Sequence, residues 1–163
     1  MDDIQTVSIA IASAGVLVAA VYYVLHIRHQ NRMRQTDLVM RLYSTFGSRE
    51  VMEAYARILN TEFENYSDFM DRYGQLTSEK PIPIAFNMLG HFFEGIGVLL
   101  HRRLIAISLV DDLFTAPIKL TWEKMKPIVE GFRKQIDLPT PFEWFEYLYN
   151  EMKKREQRGV KSG

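Results

Sequence analysis

Nineteen consecutive residues near the amino terminus, Val7 to Leu25, contain no charged side chain: VSIAIASAGVLVAAVYYVL. At ~1.5 Å rise per residue such a run makes roughly 28 Å of helix, close to the ~30 Å hydrocarbon thickness of a bilayer. In lipid every backbone N–H and C=O must find a partner within the segment, which makes the helix the expected form. Ile4 and Ile27 extend the run, and Tyr22 and Tyr23 fall near its carboxyl end, where amphipathic rings favour the headgroup level. A cleaved signal peptide carries positive charge before its apolar core, whereas Asp2 and Asp3 precede this one. The expectation is a transmembrane helix within residues 1–27. Arg28, Arg32, Arg34 and Arg41 follow it directly, with no Lys or Arg before it. By the positive-inside bias the amino terminus then lies outside the cell membrane and residues 28–163 in the cytoplasm, the arginines facing the membrane surface. Ser8, Ala12, Gly15 and Ala19 form a stripe of small residues along the helix, which either lets a second helix approach or reflects the ordinary composition of such spans.

Composition narrows what the rest can be. A chain of 163 residues suits one ordinary domain, and 47% apolar with 12% aromatic content is too much for disorder. The absence of cysteine excludes thiol catalysis, disulfides and Cys-ligated zinc. Twenty basic residues balance twenty acidic ones, which argues against a nucleic-acid partner. The charge is unevenly spread, with four Arg against Asp37 in 28–41 and five basic against two acidic residues in 150–163. An acidic body between basic ends suits a domain standing off an anionic membrane.

Beyond the apolar run the pattern is helical almost throughout. Residues 28–46 read as a basic stalk helix that enters the domain near Leu38, with Leu38, Leu42 and Phe46 on one face. Gly47 supplies a stop and Ser48 a start. A helix with Val51, Tyr55, Ile58 and Leu59 follows, helical spacing continues to Tyr73, and QLTSEKPIP (75–83) is a loop. The most apolar helix of the domain spans Ile84 to Leu104. Ser108 and Asp111 resemble a capping box opening the next helix, in which Pro127 predicts a kink or break near Lys126. Thr140, Pro141 and Glu143 read as cap, first turn and capping-box partner of the last helix. No segment alternates as a strand does. The fold class expected is all-α: one amino-terminal transmembrane helix and stalk, then a cytoplasmic bundle of about five to six helices over 47–155, and a flexible basic tail over 156–163.

The residues most suggestive of chemistry lie on the central helix. Asn87, His91, Glu94 and His101 share a narrow polar arc, and His91 and Glu94 stand i, i+3, close enough to share a metal ion or a proton. The plainer reading is the solvated face of an amphipathic helix. Gly90 and Gly97 border the arc and would let another helix come close. Glu94 would then be partly buried and need a donor: an Arg, a Trp N–H or a helix amino terminus. No second Glu-x-x-His, nucleophile elbow or phosphate loop occurs, so no residue is assigned a catalytic role and no metal or cofactor is implied. Trp144, Phe142 and Tyr147 are expected to leave an aromatic patch exposed on the last helix.

The stretches HFFEGIGVLL (91–100), SLVDDLF (108–114) and LTWEKMKPIVEGFR (120–133) resemble a family of small prokaryotic membrane proteins catalogued as a domain of unknown function. The likeness takes in most of residues 28–150. It departs from the pattern at Arg102-Arg103-Leu104, where a Gly-containing turn is expected after the central helix. The resemblance implies one span, a basic juxtamembrane helix and a helical domain, and for some members a part in phage defence. The function expected is a non-enzymatic, membrane-anchored interaction module or accessory subunit, its partners the lipid bilayer and other membrane proteins or a second copy of itself. The alternatives are a membrane-tethered metal-dependent enzyme on His91 and Glu94 and a phage-defence sensor or effector.

Overall fold

The computed structural model describes residues 2–160 and, within them, all side chains but those of residues 2, 4, 6, 9–11, 159 and 160. The described residues form six α-helices and no strand: α1 (Asp2–Phe46), α2 (Arg49–Leu59), α3 (Tyr66–Tyr73), α4 (Pro81–His101), α5 (Ile107–Ile136) and α6 (Glu143–Val160). The all-α expectation holds. The chain divides after Leu38 into two units.

The first unit is helical. From Ala12 to Arg34 every residue is exposed, apolar and charged alike. Val16, Leu17 and Val18 keep 69%, 68% and 70% of their surface open. Within this helix the Tyr22 ring stacks on His26, and Thr36 Oγ1 donates to the Arg32 carbonyl at 3.0 Å. The expected span at 7–25 takes in Ile9, Ala10 and Ile11, whose side chains lie outside the described residues.

The second unit, residues 39–160, is a helical bundle. Phe46, in the last turn of α1, lies against the rings of Tyr55, Phe92, Phe93 and Phe114. Leu89, Phe93 and Ile96 of α4, Ile118 and Trp122 of α5, and Phe145 and Leu148 of α6 make the fully buried centre. α4 packs most extensively on α6 and then on α2. It is also, among the described residues, the one helix long and apolar enough to cross a membrane by length and composition, yet 44% of that stretch is buried in the bundle. That is how the core helix of a helical domain behaves.

Local chemistry explains most helix ends. Ser48 Oγ accepts the Val51 N–H at 3.4 Å, as the Gly47-Ser48 stop and start predict. Asn65 caps α3 through the Asp68 N–H at 3.1 Å. α4 begins at Pro81 rather than Ile84, because proline at the first helical position gives up an N–H that would have no partner anyway.

Four expectations about the helices need correction. α5 opens at Ile107 after Ala106, so Ser108 lies inside the helix and is not its cap; Asp111 instead accepts from Thr115 and from Arg155 Nε, the latter at 2.8 Å. α5 is unbroken at Lys126 and runs through both Pro117 and Pro127. Val110, Phe114, Ile118, Trp122, Met125 and Val129 bury one continuous face, which outweighs two missing hydrogen bonds. α6 opens at Glu143, beyond Thr140 and Pro141, because Phe142 is left-handed at φ 59° and cannot belong to the helix. Residues 156–160, read as the start of a tail, are the last turn of α6; residues 161–163 lie outside the described ones.

Candidate functional site

The polar arc of α4 is turned toward the start of α6. Gly90 and Gly97 open two notches in the helix surface, and Phe142 and Trp144 fill them. A Cβ on Gly90 would collide with the Phe142 ring, and one on Gly97 with the Trp144 backbone carbonyl. Glu94 stands between the notches and is half-buried. Its Oε2 accepts the Phe145 N–H at 2.7 Å, and the Trp144 N–H also points to the carboxylate. These are amides of the first turn of α6, where a helix has no carbonyl of its own to offer. Glu94 therefore does from another helix what an N-cap side chain does within one. Its negative charge also meets the positive end of the α6 dipole.

Burial pushes the Glu94 carboxyl above its ordinary value. The two amide hydrogen bonds and the Arg133 charge pull it back, and the nearby Glu143 charge adds to the upward push. Arg133, from α5, ties the same corner together. Its Nε donates to the Pro141 carbonyl at 2.9 Å and its Nη1 to Glu146 Oε2 at 2.7 Å, while its buried Nη2 has no partner.

The other members of the arc go separate ways. Asn87 Nδ2 donates to the Leu76 carbonyl at 2.6 Å and holds the loop before α4. His91 is exposed, its ring 5.5 Å from that of Phe142. His101 is exposed too, 4.3 Å from the Trp144 ring and 5.5 Å from Tyr147. Among the described residues no three His, Asp or Glu are placed to share a metal ion. Leu76, Thr77, Asn87, His91, Glu94, Phe132 and residues 140–142 enclose a groove of about 550 Å³.

The aromatic patch expected on α6 is mostly consumed by this packing: Phe142 is buried, and Trp144 and Tyr147 are partly covered. Arg133 and the left-handed Phe142 had no signal in the sequence pattern. The paired glycines did carry one: they allow a helix to come close, and Glu94 then needs a donor. In the first unit, Ser8, Ala12, Gly15 and Ala19 are all exposed, and a Cβ on Gly15 would meet nothing within 4 Å. Arg28, Arg32, Arg34 and, in the second unit, Arg41 are exposed as well.

Residues 9–152 match the family described as a domain of unknown function (DUF4760). No curated protein and no solved structure matches the chain.

Proposed function

The chain belongs to the DUF4760 family, and from that premise we propose that it is a single-pass membrane protein whose bundle, residues 39–160, is a cytoplasmic, non-enzymatic interaction module. The observation that carries this reading is the unbroken exposure of apolar side chains from Val16 to Leu25 on a helix with no charge between Val7 and Leu25. Water would tolerate that surface poorly and hydrocarbon would not. The family match begins at residue 9 and so takes in most of the apolar run. The arginines at 28, 32 and 34 favour the inner leaflet as their side.

An interaction role fits a bundle whose most distinctive polar group, Glu94, is occupied with holding α6. Ala54, Pro81, Ile84, Ala85 and Met88 also leave an apolar groove of about 320 Å³ between α2 and α4, with Glu50, Glu53 and Arg57 at its rim. A partner is either another membrane protein or a second copy, brought to high effective concentration by the anchor. The metal-enzyme alternative would have to take Glu94 from the α6 amides, and no observation favours it.

Alkaline carbonate extraction of membranes containing the full chain tests the anchor. The protein should stay in the pellet until detergent is added, and a carboxyl-terminal tag should resist protease in sealed cells. Release by carbonate, or digestion from outside, overturns the reading. Photo-crosslinking from positions 15 and 19 should trap one reproducible partner or a dimer; recovery of monomer alone overturns the interaction role of the span.

A further inference from the structure

We propose that the groove beside Glu94 binds a small organic cation, a primary ammonium carried on an apolar chain. The volume, about 550 Å³, falls in the range of small-molecule sites. Leu76, Phe132, Pro141 and Phe142 give it apolar walls, two of them aromatic rings whose faces attract cations. Glu94 supplies a half-buried carboxylate on the same surface.

The charges around it are unbalanced. Arg133 is matched by Glu146, its ion-pair partner. Glu94 meets the α6 terminus, whose dipole offers the equivalent of only about half a charge, and the nearby Glu143 charge adds to the negative charge there while that of Arg133 offsets part of it. His91 stands at the groove and His101 farther along α4 against Trp144, both exposed. A carboxylate or phosphate ligand would meet like charge here. A neutral ligand would gain from the walls alone, whereas an ammonium would complete the ion balance that α6 leaves unfinished. A divalent metal is disfavoured by the walls and by the lack of further ligands among the described residues. The inference stands apart from the membrane reading, because it concerns residues of the bundle only.

Three probes of equal chain length separate the terms: hexylammonium, hexan-1-ol and hexanoate, each titrated into the full chain in detergent while thermal unfolding of the bundle is followed. Hexylammonium should raise the midpoint by a few degrees and saturate. The alcohol and the carboxylate should not. Glu94→Gln keeps an acceptor for α6 but removes the charge, and should weaken the hexylammonium response about tenfold or more. Phe132→Ala, which leaves the α6 cap untouched, should weaken it as well and serves if Glu94→Gln does not fold. Equal shifts from all three probes, no shift from hexylammonium, or an undiminished response in the folded variants would overturn the assignment.

Discussion

Two apolar helical stretches of nearly equal length, residues 7–25 of α1 and Pro81–His101, meet opposite fates in this chain. Along the first, each described side chain from Ala12 onward is open, and the Tyr22 ring stacks on His26 one turn along the same helix. Along the second, Leu89, Phe93 and Ile96 are fully buried, and Asn87 and Glu94 each hold a backbone group of a different segment. Hydropathy alone does not separate them. What does is where the small and polar residues sit: on α4 the glycines and the carboxylate alternate along one face and are filled by α6, whereas Gly15 faces open space. An apolar helix that belongs to a protein core carries the negative image of its neighbour.

The largest effect that could break this contrast is at Gly97. A methyl group there meets the backbone of Trp144, which cannot swing aside as a side-chain tip can. Gly97→Ala should cost about 3 kcal/mol or more by forcing α6 off α4, read as a lowered denaturation midpoint in urea. Gly95→Ala, two residues away with nothing within 4 Å, should be neutral or slightly stabilising. Equal behaviour of the two would refute the notch.

Next comes a charge placed in each helix. If lipid surrounds the first, Leu17→Arg should carry an insertion penalty of about 2.5–3.5 kcal/mol. Part of the protein should then become extractable by carbonate, with the melting of the bundle unchanged. Leu89→Arg should do the reverse, unfolding the bundle with carbonate extraction unchanged, because Leu89 is fully buried. A Leu17→Arg chain that remains fully carbonate-resistant would count against lipid as the environment of α1.

What could be read in advance follows the reach of each interaction along the chain. Gly47-Ser48 stops and starts helices by contacts within four residues, and the pattern sufficed there. The start of α6 is set by Glu94, 51 residues before the amide it accepts, and Thr140 only imitates a cap. Asp111 likewise turns from its expected capping partner to Arg155, 44 residues on. Pro127 has the local properties of a break, and long-range burial of α5 overrides them. The site was legible as a condition, since Gly90 and Gly97 leave room for a close helix, but whether one comes and which it is are fixed by tertiary packing. Arg133 was not legible at all, because a basic residue near a helix end reads as solvated.

Glu94 tests whether the polar face of α4 is structural. Removing the cap with Glu94→Ala should cost roughly 1–2 kcal/mol, since two helix amides lose their acceptor; Glu94→Gln should cost less. The pH dependence has a definite sign. The folded carboxyl titrates above its ordinary 4.5, so folding favours the protonated form. That contribution is full below the unfolded value and is lost as pH rises through the folded one, and Glu94→Gln should abolish it. Asp111 runs the other way. Thr115, and then Arg155, hold its carboxyl below the usual 3.8. Its contribution is present above the unfolded value and lost as pH falls through the folded one. Stability difference curves of Glu94→Gln and Asp111→Asn against wild type, between pH 3 and pH 7 (roughly the carboxylate range), should therefore slope in opposite directions. Parallel slopes would mean that Glu94 is solvated after all.

The smallest effect concerns how the two apolar stretches end, for both are followed by arginines. α1 runs on through Arg28 and Arg32 to Phe46, whereas α4 stops at Arg102 and Arg103. The stop is a left-handed turn: Arg103 has φ 58°, its N–H donates to the Leu100 carbonyl at 2.9 Å, and the Leu104 N–H donates to Leu99 at 2.9 Å. This is the hydrogen-bond pattern with which helices most often end on glycine, and Arg103 occupies the glycine position at a steric cost. Arg103→Gly should thus stabilise the bundle by about 1 kcal/mol. Gly inserted in place of Arg28, inside a continuing helix, should instead weaken α1 by about the same amount, read as lower helix content in detergent. A loss of stability in Arg103→Gly would mean that the arginine side chain, exposed as it is, does more for the corner than its backbone costs.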